Sequence, residues 1–159
     1  WTAAQPSESH REAMSRWPLT TRVPIDRFGE VVFCHATTRN DTEIFVRRTA
    51  EEKLGPIFDT LGARLVVCGH THMQFDRVMG RTRVVNGGSV GMPFGERGAY
   101  WVAIGPDVEL RRTAYDFAAA AHAVRATSFP GAQEAAESHI LSPPSEVEML
   151  EAFSRVELR

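Results

Sequence analysis

Two apolar runs in this chain each end in histidine, and that repetition constrains its fold more than any other feature. Val31-Val32-Phe33-Cys34 leads into His35, and Leu65-Val66-Val67-Cys68-Gly69 leads into His70-Thr71-His72. Continuous apolar runs of this length suit strands buried on both faces, which is the habit of parallel sheets. Parallel neighbours need a crossover between them. The intervening residues supply one, because Leu54, Ile57, Phe58 and Leu61 follow helical spacing and Gly62 is a natural stop. Thr49-Ala50-Glu51-Glu52 has the form of a capping box, so the helix is expected to start there. Gly55-Pro56 is expected to kink or restart it.

The flanking segments read as follows. A short helix over 7–16 is capped by Ser7 and stopped by Pro18, and 24–30 forms a turn and approach. Residues 75–79 and 81–85 form a hairpin about Gly80. Strands over 99–104 and 108–115 are joined at Gly105-Pro106-Asp107. Asp116 caps an alanine-rich helix to about residue 126, 131–139 forms another short helix, and Ser145-x-x-Glu148 starts a last helix to Phe153. The expected class is mixed α/β (α+β), with helices covering sheet faces. Residues 1–115 are expected to form the main unit. Residues 116–159 are expected to form a helical extension, whose stripe of Val147, Leu150, Phe153 and Leu158 packs on that unit or, in a homodimer, on a partner.

Composition excludes several classes. The 159 residues carry a formal charge of −2, so no nucleic-acid surface is evident, and no apolar run approaches the roughly 18 residues needed to cross a membrane. The two cysteines, Cys34 and Cys68, sit in the apolar runs and read as free thiols, which points to a reducing, cytoplasmic setting. The chain opens on Trp1 without an initiator Met or a signal-peptide pattern, as a piece of a longer protein would.

A polar residue placed directly after a buried strand lies at the carboxyl edge of the sheet, where α/β folds hold ligands. His35, His70 and His72 therefore converge on one rim as candidate metal ligands, since neutral imidazole suits zinc, iron and manganese. In extended backbone, His70 and His72 would project to the same side. Asn86-Gly87-Gly88-Ser89-Val90-Gly91 either turns between strands or presents the Asn86 amide and Ser89 hydroxyl to a ligand. Arg39, in the loop after His35, is a candidate phosphate-binding guanidinium. His10, His122 and His139 read as solvated, as do Arg47-Arg48, Arg81/Arg83 and Arg111-Arg112.

Three of these segments carry a resemblance. Val66-Val67-Cys68-Gly69-His70-Thr71-His72 resembles the Gly-His-Thr-His block of calcineurin-like metallophosphoesterases. Val32-Phe33-Cys34-His35-Ala36-Thr37 and Val84-Val85-Asn86-Gly87-Gly88-Ser89-Val90-Gly91 are similar to the Val-His-Gly-Ser-Pro and Asn-Pro-Gly-Ser-Val-Gly blocks of the bacterial YfcE-like branch. Ala36, Thr37 and Gly87 depart from those patterns without removing a ligand. The resemblance runs from about residue 20 to 115. It implies a four-layer α/β/β/α sandwich that hydrolyses phosphate mono- or diesters with a hydroxide bridged by two divalent transition-metal ions, Mn, Fe or Zn. By analogy His35 and His70 bind one ion and His72 the other; the loop residues Arg39, Asn86 and Ser89 remain the candidates for contact with the phosphoester substrate.

The Asp-x-His, Gly-Asp and Gly-Asn-His blocks of the same family do not occur in this sequence. The resemblance thus implies the C-terminal part of the domain, with the bridging aspartate and the leaving-group histidine in a missing N-terminal part. No catalytic residue is assigned within these 159, and the isolated chain is expected to be inactive. Two alternatives compete. One is a non-catalytic scaffold, as a retromer subunit of this fold is. The other is a structural zinc site of Cys34, His35, Cys68 and His70, which strand alternation disfavours because sequence neighbours point to opposite faces.

Overall fold

The computed structural model describes residues 1–158. Its strands are β1 (Thr20–Ile25), β2 (Gly29–Cys34), β3 (Leu65–Cys68), β4 (Phe75–Met79), β5 (Thr82–Asn86), β6 (Ala99–Ile104) and β7 (Val108–Thr113). Its helices are α1 (Glu8–Ser15), α2 (Glu51–Phe58), α3 (Phe117–Arg125), α4 (Ala132–Ala135) and α5 (Glu146–Ser154), with a π-helical segment, Ala136–Leu141, following α4. Five strands form one mixed sheet in the order β1-β2-β3-β5-β4, and β6 and β7 form a separate two-stranded ribbon. β2, β3 and β5 run parallel, pairing Val31 with Leu65 and Leu65 with Arg83, while β1 and β4 are antiparallel edges.

The apolar runs are buried on both faces, as their lack of alternation requires. Val32, Val66 and Val84 point to one face and pack with Phe45, Phe75, Met79 and the α2 residues Leu54, Ile57 and Phe58. Val31, Leu65 and Val85 point to the other and pack with Val102, Ile104 and Val108 of the ribbon. All six central side chains are at most 1% exposed, and full burial of each contributes about 1.5–3 kcal/mol. The α2 layer, the five-stranded sheet and the ribbon stack as an α/β/β arrangement, three of the layers of an α/β/β/α sandwich.

The last helix starts where expected. Ser145 and Glu148 form a complete capping box, and Asp116 caps α3 through the Ala119 N–H. The tail stripe divides. Leu150 is fully buried against Val46 and Met73, with Phe94 and Phe153 beside it, whereas Val147 is exposed. Leu158 joins the sheet core, and its N–H donates to the Ile44 carbonyl at 2.8 Å. Among the described residues no helix is long and apolar enough to cross a membrane.

Three local expectations need correction. The turn expected within 24–30 is confined to residues 26–28, because Thr20–Ile25 forms a hairpin strand with β2, which starts at Gly29, and the missing N–H of Pro24 is tolerated on an edge strand. Thr49 does not cap α2, because its hydroxyl accepts from the Val46 N–H and bonds Glu157 instead; Ala50 takes the cap position without a side-chain bond. Pro56 stays inside α2 and does not divide it.

Candidate metal centre

Parallel pairing brings the carboxyl ends of β2 and β3 to one rim. The pairing continues past the strands, with the Gly69 N–H donating to the His35 carbonyl and the Gly87 N–H to the Cys68 carbonyl, both at 2.9 Å. At that rim His70 Nδ1 lies 3.1 Å from His35 Nε2, with ring centroids 4.9 Å apart and the rings inclined at 65°.

The backbone beyond β3 is not extended, which corrects the argument from two-residue spacing. His70 and His72 both have left-handed backbones, with φ of 66° and 58°. The Thr71 N–H donates to the Gly69 carbonyl at 2.8 Å, closing a tight turn on His70. Such conformations cost a non-glycine residue about 1–3 kcal/mol and persist only where the surroundings enforce them.

Asn86 provides that enforcement, and here the structure departs from the sequence reading. Its side chain is fully buried. Nδ2 donates to the Gly69 carbonyl and to Thr71 Oγ1, the latter at 3.1 Å, while Oδ1 accepts from the Gly88 N–H at 2.8 Å. The amide therefore grips the turn on both sides of His70 and is not presented to a substrate. Ser89 is engaged in the same way, its Oγ accepting from the Met92 N–H at 2.9 Å. Gly88 has a φ of 76°, and a Cβ there would come within 2.8 Å of Gln74 and Tyr100, so the loop needs glycine at that position.

His72 stands apart from the other two. Its ring stacks on Phe94 with centroids 5.5 Å apart and planes 27° from parallel, and Phe94 in turn meets Phe153 of α5. Its Nδ1 is buried without a hydrogen-bond partner. Desolvation is the largest influence on both His70 and His72 and lowers their pKa values from the ordinary imidazole range; the charges of neighbouring histidines act in the same direction. Both are therefore neutral at pH 7, the form that binds cations. His139, read from sequence as solvated, is half-buried on the π-helical segment, and its charge is felt at His72. Helical spacing alone carries no signal of that approach.

Arg39 is engaged by its own loop, with a guanidinium nitrogen 2.5 Å from a Glu43 carboxylate oxygen. Thr37 Oγ1 donates to the same carboxylate and accepts from the Arg39 and Asn40 N–H groups at 3.2 Å. Burial pushes the Glu43 pKa up, but the bonds from Thr37 and Arg39 and the Arg39 charge outweigh it, so the net shift is downward. A depressed carboxylate stabilises the fold above its unfolded value of about 4.3, and that contribution is lost as pH falls through the lower folded value. Urea titrations from pH 5 downward should therefore show wild type losing stability more steeply than Glu43→Gln.

Among the described residues no three His, Cys, Asp or Glu side chains converge on one point. The four-ligand zinc reading also fails on orientation. Cys34 and Cys68 are free thiols turned into the α2-side core, while His35 is exposed at the rim. Burial raises both thiol pKa values, that of Cys34 to about 11.

Comparison with known proteins bears on the family and the fold. A family model described as the calcineurin-like phosphoesterase superfamily domain matches residues 8–105, well over half of the chain. A hypothetical protein from Pyrococcus horikoshii OT3 shares the fold with a TM-score of 0.69 at 17% identity, over 86% of this chain and 56% of that one. A metallophosphoesterase from Sphaerobacter thermophilus gives 0.68 at 18% identity, over 89% and 66% respectively. The chain thus spans between half and two thirds of the length of these two neighbours. No curated protein gives a significant match. With the family model covering both apolar runs and both histidine segments, the chain belongs to the calcineurin-like phosphoesterase superfamily.

Proposed function

We propose that this chain supplies the histidine half of a divalent-metal phosphoesterase centre, with His35 and His70 holding one cation and His72 a second. The observation that carries the reading is the facing pair of ring nitrogens 3.1 Å apart, which one shared proton bridges in the metal-free chain and a cation would bridge in its place. Two nitrogens bound at about 2.0–2.1 Å to one ion stand roughly 2.9–3.4 Å apart at tetrahedral or octahedral angles. The buried Nδ1 of His72, which closes no well-formed hydrogen bond although the Met92 backbone lies beside the ring, supports the second position. Imidazole donors suit Mn, Fe or Zn.

When bound, such ions lower the pKa of water and neutralise phosphoryl oxygens, which serves hydrolysis of phosphate mono- or diesters. The chain's own residues orient the donors. Asn86 fixes the His70 turn, Phe94 braces the His72 ring, and burial keeps both imidazoles neutral. A working centre also needs carboxylates, and we place these outside residues 1–159. The Asn-Gly-Gly-Ser-Val-Gly loop supports a YfcE-like relationship within the superfamily.

The test uses the purified 159-residue polypeptide. Equilibrium dialysis against Mn²⁺ or Zn²⁺ should show weak binding that His72→Ala reduces, with no turnover of bis-p-nitrophenyl phosphate. Turnover by this polypeptide would overturn the assignment of carboxylates elsewhere. Binding indifferent to His35, His70 and His72 together would overturn the metal reading and leave a scaffold.

A further inference from the structure

The rim opposite the histidines is lined with arginine. At the amino-terminal ends of the parallel strands, Arg27, Phe28, Arg64, Val78, Arg81 and Arg83 line a cleft of about 270 Å³. Arg64 and Arg81 also line an adjoining cavity of about 540 Å³ with Asp59 and Thr82, so the two guanidinium side chains border both spaces. These volumes suit a small ligand.

The four arginines are not equivalent. Arg83 is held by Asp76 through two bonds of 2.9 and 2.6 Å and by Asp107 at 3.2 Å. Arg27 donates to the Pro106 carbonyl at 3.0 Å. Arg64 and Arg81 have no side-chain hydrogen bond or ion pair among the described residues, and both are exposed. Asp76 and Asp107 are turned onto Arg83, and Asp59 is the one carboxylate lining the space that Arg64 and Arg81 share, so two unpaired guanidinium forks face a single negative charge there. Guanidinium forks match phosphate oxygens in bidentate geometry. β3 has four residues and spans about 13 Å, so one phosphate group cannot touch both this rim and His70.

We propose that the Arg64–Arg81 cleft is a second ligand site, separate from the metal centre, for a small phosphate-bearing polyanion. Its ligand bridges the Arg64 and Arg81 guanidinium groups, with Val78 as an apolar edge. The proposal does not depend on metal binding at the histidine rim.

Isothermal titration in EDTA and at low salt tests it, with tripolyphosphate and ATP as probes. Removing divalent ions silences the histidine rim and keeps the two sites distinguishable. At least one probe should bind saturably, and binding should weaken on raising the salt. Comparable affinity for the two would assign the contact to free oligophosphate chemistry; a tenfold preference for ATP would assign it to a nucleotide. His70→Gly should bind as wild type does. The Arg64→Ala/Arg81→Ala double variant should bind at least tenfold more weakly, and Arg81→Glu, which leaves Arg64 in place, should be weakened as well. Absence of binding by both probes overturns the proposal, as does binding that survives both arginine variants or is lost in His70→Gly.

Discussion

Replacing Asn86 by alanine should destabilise the protein by about 3–4 kcal/mol and weaken cation binding in the same step. The side chain is fully buried, and it satisfies the Gly69 carbonyl, the Thr71 hydroxyl and the Gly88 N–H together. Alanine leaves those groups unpaired at about 1–3 kcal/mol for each that stays dry, and adds a small cavity. The lower part of that range applies because water can enter from the adjacent rim and re-pair some of them. The two effects have one origin, since the bonds that stabilise the core also hold His70 in its left-handed turn. Chemical denaturation and equilibrium dialysis on the same preparation check both. Full stability in Asn86→Ala would mean that the turn holds itself.

His70→Gly should separate stability from binding in the opposite sense. Glycine accepts a φ of 66° without the penalty histidine bears there, so the metal-free variant should be more stable than wild type by about 1 kcal/mol. It should also lose at least ~100-fold in Mn²⁺ or Zn²⁺ affinity, since even removal of a group that only orients a ligand costs 10–100-fold. His70→Ala makes the control. It removes the same donor but keeps the strained φ, so its affinity should fall as far without the gain in stability. A wild-type dissociation constant in either variant would remove His70 from the ligand set. On the proposed reading, the strained turn gives up stability at one residue to aim one nitrogen.

The parts of the fold that could be read from sequence are those whose signal is local. Val31–Cys34 and Leu65–Cys68 announce buried parallel strands because both faces must be apolar. Ser145 and Asp116 announce their helices because a capping bond spans only three residues. β1 was hidden because it is an exposed edge, so its residues carry no core pattern and Pro24 reads as a breaker. Thr49 misled for the complementary reason. Its spacing to Glu52 fits a cap, but its hydroxyl is claimed by Glu157, 108 residues away.

The candidate site divides along the same line. The placement of His35 and His70 just past two parallel strands is legible from the apolar runs before them. The left-handed histidines are not, because backbone conformation there is imposed by Asn86 from another strand. For Arg39 and Asn86 the sequence shows a polar residue near the site but not what it already touches. The Glu43 carboxylate and the Gly69–Thr71 turn had claimed them.

The stack of Phe153 on Phe94 on His72 sets an order of events during biosynthesis. His72 is braced by an aromatic ring that is itself braced from α5. Those two ends of the stack are separated by 81 positions of sequence (153 less 72). At about 5–20 residues per second, translation delivers the brace roughly 4–16 s after the histidine. Throughout that interval the nascent chain carries His35 and His70 while the third imidazole still lacks its support. The proposed second cation position would thus be completed late, after the strands that carry His35 and His70 have been made.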